Sequence, residues 1–190
     1  MLYYGSFSKE KGFDTIGEML IKFFKENEDF YFVCAGWNLN TNYGNSIENM
    51  RKKLGNYENR MIYLGLLQQE YLYPIIRNAE FILIPSLIDN LPNACLEALS
   101  LDKIVIGTYN TSLEQMISDG ENGFLSEPGN ADSLLAAVKK VCALTEEENK
   151  QMSKKNKKIL NKFSVESAVT KLEKYYCWLI DKHSKRWINR

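Results

Sequence analysis

Two carboxylates stand eight positions apart in the stretch PSLIDNLPNACLEALSLDKIVIGT, Asp89 ahead of what reads as a helix start and Glu97 inside that helix. The apolar run Phe81 to Ile84 reads as a buried strand, and Pro85-Ser86 ends it. A polar loop follows, and Pro92 sits where a first-turn proline is tolerated, which predicts a helix from Pro92 to Leu101. Free backbone N–H groups and the positive end of the helix dipole make that start attractive to phosphate. An ionised carboxylate accepts two hydroxyl hydrogen bonds at once and suits a sugar diol. A diphosphate at the helix start, flanked by carboxylates that hold sugar hydroxyls, is a layout that suits a nucleotide sugar. Glu97 reads either as such a ligand or as a solvated helix residue. Its neighbours Ala94, Cys95, Leu96, Ala98 and Leu99 are apolar, so a carboxylate there needs a partner.

The elements that must carry these residues alternate. Leu2 to Phe7 reads as a strand, and Lys11 to Asn27 as a helix with Ile16, Met19, Leu20, Phe23 and Phe24 at helical spacing. The period then repeats, with strand Phe30 to Ala35 and helix Ser46 to Leu54, strand Met61 to Leu64 and helix Gln69 to Asn78. After strand Phe81 to Ile84 and its helix come strand Lys103 to Gly107 and a short helix Ser112 to Ser118. Ser112 with Gln115, and Thr145 with Glu148, read as capping boxes that mark helix starts. The turn DGENGF leads into a short extended piece, Phe124 to Ser126. Five strands alternating with helices predict an α/β domain: a Rossmann-like, open, mostly parallel sheet with helices on both faces. Ligands then bind beyond the carboxyl ends of the strands. Residues 1–144 are expected to form that domain. Residues 145–190 form a C-terminal helical extension packing on it, with Val165, Ala168, Val169, Leu172, Tyr176 and Leu179 as its packing stripe.

The composition narrows the function classes. Lys and Arg balance Asp and Glu at 24 each, which argues against a generic nucleic-acid binder. The balance is uneven, however, because residues 145–190 hold 12 basic against 6 acidic side chains. That excess reads as a solvated helical surface, or as a basic tail that approaches anionic lipid head groups. The start of the chain has no basic stretch leading into a long apolar run, and no segment nears the roughly 18 apolar residues of a membrane span. A cytoplasmic protein is expected. Cys34, Cys95, Cys142 and Cys177 are far apart and read as reduced thiols; no metal-ligand cluster is visible, and the sole histidine, His183, is given no role.

Taken together, GSFSKEKGFD, the strand ending in CAG, NRMIYLGLL, NAEFILIPSLIDNLPNACLEALSLDKIVIGT and SDGENGFLSEPGNADSLLAAV resemble the C-terminal donor-binding domain of family 4 (group 1) retaining glycosyltransferases. The resemblance spans nearly the whole chain and implies one half of a GT-B architecture. In that family a Glu-x7-Glu pair binds the donor, so the resemblance gives Asp89 the transferred sugar and Glu97 the ribose hydroxyls. Loop amides that cradle sugar and phosphates fall to Asn90, Leu91, Asn93 and Ala94, while Pro92 replaces a glycine and donates no hydrogen bond. The family's early glycine, arginine and lysine correspond to Gly5, Ser6 and Lys11. Ser6 therefore offers only a hydroxyl where a cation is usual, which weakens leaving-group stabilisation. Gly36, and Leu66 in the Gly65-Leu66-Leu67 run, fall where related enzymes pass the backbone close to base or ribose.

The resemblance thus implies Lys11, Asp89 and Glu97 as catalytic residues of a metal-independent, retaining hexosyl transfer. The donor is a UDP-, GDP- or ADP-sugar acting as substrate, with no separate cofactor, and the acceptor is a polysaccharide or glycolipid. Family members carry an N-terminal acceptor-binding domain, expected here on missing sequence or on another chain. Alone, the chain is expected to bind donor weakly and to transfer little. A peripheral contact with the inner face of the membrane, through the basic tail, is compatible with such acceptors. Two other readings stay open: a non-catalytic nucleotide-sugar-binding or assembly module that pairs with a separate N-terminal half, and a nucleotide-sugar epimerase half-domain, which calls for a histidine and arginine set that the sequence lacks.

Overall fold

A computed structural model describes residues 1–38, 40–41 and 44–188. By their contacts they divide into two compact units, Met1–Asn156 and Lys157–Arg190.

The first unit opens with β1 (Leu2–Tyr4) and α1 (Phe13–Glu26), followed by β2 (Phe32–Ala35) and a two-stranded antiparallel pair, β3 (Asn40–Thr41) and β4 (Gly44–Asn45). It continues with α2 (Ser46–Leu54), a 3-10 turn over Gly55–Arg60, β5 (Met61–Tyr63), α3 (Gln69–Asn78), β6 (Phe81–Leu83) and α4 (Asn93–Ser100). Next come β7 (Ile104–Thr108), a 3-10 turn over Ser112–Gln115, β8 (Gly123–Ser126), α5 (Ala131–Cys142) and α6 (Glu146–Lys154). Six strands form one parallel sheet in the order β5-β2-β1-β6-β7-β8. This is an α/β Rossmann-like fold. The chain order reverses at β1, between β2 and β6, so the connections run to opposite sides there and a crevice is expected beyond the carboxyl ends of the strands.

The core explains the sequence pattern. The helical stripe of α1, Ile16, Met19, Leu20, Phe23 and Phe24, is almost fully buried and meets Phe32, Phe81 and Leu83 from the sheet in one cluster with Leu134 and Val138 of α5. β6 and β7 are buried along their whole length, as central parallel strands must be when helices cover both faces. Arg60 closes the far end of α1. Its guanidinium donates to the carbonyls of Phe24, Asn27 and Phe30 and lies 3.9 Å over the ring of Phe24.

Three expectations need correction. The extended piece Phe124–Ser126 is a full strand, β8, paired with β7 from Val105↔Gly123 to Thr108↔Ser126. It is short and led by a glycine, so neither length nor alternation marks it. The helix expected over Ser112–Ser118 is a single 3-10 turn, and its cap is Thr111, whose hydroxyl accepts from Leu113 N–H at 3.2 Å. Ser112 caps nothing, whereas the Thr145–Glu148 capping box forms as read. Pro92 is likewise not the first helical residue of α4 but the residue before it.

The second unit holds most of α7 (Asn156–Lys162) and all of α8 (Val165–Ile188). Within this unit taken by itself, Val165, Val169, Leu172 and Tyr176 of α8 are exposed. A unit built around one long helix has no second layer in which to bury such a stripe. The side chain of His183 lies outside the described residues. Among the described residues no helix is long and apolar enough to cross a membrane.

Candidate functional site

Two glycines, Gly12 and Gly36, let the loops at the carboxyl ends of the strands close on one another. Gly12 ends the β1–α1 loop at φ +74, and a Cβ there would lie 1.9 Å from the carbonyl oxygen of Pro85. Only glycine allows that approach, and it brings the preceding Lys11 beside the loop after β6. Gly36 follows β2 at φ +133, and a Cβ there would meet the oxygen of Gly5 at 2.0 Å. The Gly36 N–H donates to Gly65 at 2.8 Å, so the ends of β1, β2 and β5 are joined through glycines.

The result is a cavity of about 270 Å³ lined by Gly5, Ser6, Lys11, Asp89, Leu91 and the first turn of α4, Asn93 and Ala94. Lys11 Nζ lies 2.6 Å from Asp89 Oδ2, and the Asp89 side chain is only 11% exposed. The start of α4 carries no side-chain cap. Pro92 accepts from the N–H of Cys95 and Leu96, so the amides of Asn93 and Ala94 are left to face a ligand. No acidic residue occupies the first turn. Positive helix-end potential and two amides therefore converge on the space beside Lys11.

A second, apolar cavity of about 210 Å³ adjoins the first through Tyr4 and Gly5 and contains Gly36 and Leu66, together with Trp37, Leu67 and Leu72. Its walls carry few polar groups, which suits the faces of a planar ring. Glu97 lines neither cavity. It sits one turn further along α4, half-buried, and accepts from Gln69 Nε2 at 3.3 Å. Burial raises its pKa above the usual glutamate value, and the Gln69 hydrogen bond opposes that shift. Asn90 lies on the other side of Asp89, on a separate hollow. A larger hollow of about 650 Å³ opens at the amino ends of β1, β2 and β6, and none of the candidate residues lines it.

Two contributors escape a reading of the sequence. Tyr4, buried between both cavities, donates its hydroxyl to the Ala94 carbonyl at 2.6 Å and ties β1 to the first turn of α4. Gln69, the first residue of α3, holds the Glu97 carboxylate. Both are long-range pairings, so no local spacing reveals them, although the position of Tyr4 directly before Gly5 is a usable hint.

Comparison with known proteins gives the following. The family described as glycosyl transferases, group 1, matches residues 1–159. An uncharacterized glycosyltransferase of Methanocaldococcus jannaschii is 28% identical over 95% of this chain and 48% of its own length, so the chain spans about half of that relative. The C-terminal domain of LpcC, a glycosyl transferase group 1 family protein from Francisella tularensis, superposes with a TM-score of 0.71 at 17% identity over 86% of each chain. The Anabaena protein HepE, crystallised in complex with UDP, superposes with a TM-score of 0.75 at 15% identity over 92% of this chain and 48% of its own. At those identities the two structures establish the shared fold.

Proposed function

The chain belongs to the group 1 glycosyl transferases, and from that premise we propose that it is the donor-binding half of a retaining glycosyltransferase of GT-B architecture. It receives a UDP-, GDP- or ADP-sugar and contributes to moving the hexosyl group to a polysaccharide or glycolipid acceptor. The observation that carries this reading is the cavity in which Lys11, Asp89 and the uncapped start of α4 face one space.

Each residue has a role in that reading. The amides of Asn93 and Ala94 hold the diphosphate, and Lys11 neutralises it as it leaves. Asp89, with the neighbouring Asn90 and Leu91 backbone, holds hydroxyls of the transferred sugar. Glu97 takes the ribose diol. Gly5 and Ser6 let the diphosphate approach the end of β1, and Gly36 and Leu66 border the base. The transfer uses no resident metal or cofactor. The acceptor-binding domain lies outside these 190 residues, on further sequence or on a second polypeptide, and the isolated chain binds donor without efficient transfer. We place it in the cytoplasm, with the basic residues of the tail facing the inner surface of the membrane.

Calorimetric titration of the chain with UDP, GDP and ADP tests the reading. One diphosphate is expected to bind, and Glu97→Ala is expected to weaken it at least tenfold. An unchanged affinity in that variant removes Glu97 from the ribose. A second reading, a non-catalytic assembly module, is favoured by one observation: Lys11 is the single cation lining the cavity among the described residues, and Asp89 already pairs it. Silence across all three diphosphates means that the site needs its missing domain or has been abandoned, and shifts the weight to that second reading.

A further inference from the structure

Asp89 is also a wall of the separate hollow that contains Asn90. This hollow measures about 450 Å³ and lies between the loop after β6 and the loop after β7. Besides Asp89, its polar lining is amide and hydroxyl: Asn90, Asn110, Thr111, Ser112 and Gln115. The side chains of Asn90, Asn110, Ser112 and Gln115 have no hydrogen-bond partner among the described residues, and Ser112 Oγ is buried in that state. Five other asparagines of the same unit, though not Asn56, Asn93 or Asn149, behave differently. Asn27, Asn78, Asn122, Asn130 and Asn156 each spend their amides on the backbone. Unspent hydrogen-bonding capacity is thus gathered around one depression.

The two loops are held in place by other groups. Leu87 N–H donates to Glu10 at 2.8 Å, Thr108 Oγ1 donates to the carbonyl of Ser86, and Thr111 Oγ1 donates to the carbonyl of Thr108 at 2.8 Å. Leu113 and Met116 anchor the second loop in the core. Ile88, 72% exposed at the rim, adds an apolar surface.

We propose that this hollow is a second carbohydrate subsite, which holds a polyhydroxylated sugar ring on the opposite side of Asp89 from the diphosphate. The chemistry of the lining selects that class. Uncharged amides and hydroxyls both donate and accept, as sugar hydroxyls do, and Ile88 suits the C–H face of a pyranose. An anion finds no cation in the lining and meets the Asp89 carboxylate; a base finds no aromatic ring to stack on. The direction, towards the reacting sugar, rests on the proposed role of Asp89. Two sources supply the same chemistry: the acceptor's terminal sugar, or the outer edge of the transferred sugar.

Amide chemical shifts of the 15N-labelled chain separate them. One arm adds methyl α-D-glucopyranoside or methyl α-D-mannopyranoside to tens of millimolar, with and without UDP. The other compares UDP-glucose with UDP and GDP-mannose with GDP. Shifts confined to Asn110–Gln115 and Asn90 are expected in at least one arm, with millimolar affinity. The free glycoside arm identifies the acceptor source, and the nucleotide-sugar arm identifies the transferred sugar. The double variant Asn110→Gly with Gln115→Ala, in which glycine keeps the left-handed φ of +58 at residue 110, is expected to weaken the effect about fivefold or more. Its amide spectrum away from the hollow, and its UDP affinity, are expected to stay as in the parent. If neither arm moves these amides, or if the double variant titrates like the parent, the subsite assignment is overturned. Because the glycoside arm also runs without nucleotide, a failure of nucleotide binding is read separately.

Discussion

Lys11 and Asp89 share a contact of 2.6 Å, and that contact sets what either can offer a ligand. Lys11 is 35% exposed, so solvent screens the pair and its net worth is small, about 1 kcal/mol. A diphosphate must draw Lys11 away from Asp89 or share it. Asp89→Asn frees the ammonium and removes a nearby negative charge, so pyrophosphate is expected to bind roughly 3- to 10-fold tighter to that variant in calorimetry. The same variant is expected to lose any preference for a nucleotide sugar over its diphosphate, because the amide accepts less strongly from sugar hydroxyls. Equal affinity for pyrophosphate in both proteins would mean that Lys11 does not serve phosphate. Glu97 carries its own test through pH. Its carboxylate must be ionised to accept from a ribose diol, and burial raises its pKa. Nucleotide affinity is therefore expected to fall, on acidification, at a pH above that of an exposed glutamate. Gln69 favours the charged form, so Gln69→Ala is expected to move the midpoint higher still. An affinity flat with pH through the carboxylate range removes Glu97 from the binding site. The placement of Asp89 before a helix start and of Glu97 within that helix was legible in the sequence, because eight residues around the start constrain where they stand. The ion pair was not, since 78 positions separate its partners. Gln69 and Tyr4 were hidden for the same reason.

At the scale of elements, the loops are positioned by close backbone approaches that only glycine permits. Gly12 combines φ +74 with a carbonyl oxygen 1.9 Å from where a Cβ would lie, and neither strain is relieved by moving a side chain. Gly12→Ala is therefore expected to cost about 2–4 kcal/mol in urea denaturation and to weaken diphosphate binding as Lys11 shifts. Gly55→Ala is a useful control, since residue 55 also has a positive φ, +54, but no atom within 4 Å of the added methyl. A smaller loss there, with binding intact, assigns the difference to the Pro85 contact. Most helices were legible from the 3.6-residue stripe, as in α1, and five of the six sheet strands from their apolar runs. β8 was not, because four residues opening on Gly123 carry little pattern. The structure explains that glycine, since a Cβ at 123 would meet the oxygen of Val105 at 2.5 Å. The end of β7 misled for a different reason: Thr111 and Ser112 are adjacent and chemically alike, and only the fold decides which hydroxyl caps the turn.

At the scale of the whole molecule, the chain spans about half of the relative it matches over almost its full length. The cavities that bear on its function are all formed by residues 3–115, on one rim of one sheet. A rim of this kind can bind a nucleotide, because the fold already holds the amides, a lysine and a carboxylate close together. Transfer asks for more. An acceptor oxygen must be held near the anomeric carbon at high effective concentration, and water must be kept from that carbon. Lys11 and Asp89 stand on an open rim and meet the second requirement only if another surface covers them. The chain is therefore expected to bind its nucleotide diphosphate but to give neither glycosyl transfer nor nucleotide-sugar hydrolysis above background, followed with a radiolabelled donor. Supplying an acceptor half, as further sequence or as a second polypeptide, is expected to raise transfer by several powers of ten while changing diphosphate affinity by less than about tenfold. Rapid hydrolysis by the chain alone would place the whole catalytic apparatus on this rim. A large gain in affinity on mixing would instead mean that the partner completes the diphosphate site, supplying the positive charge that Ser6 does not.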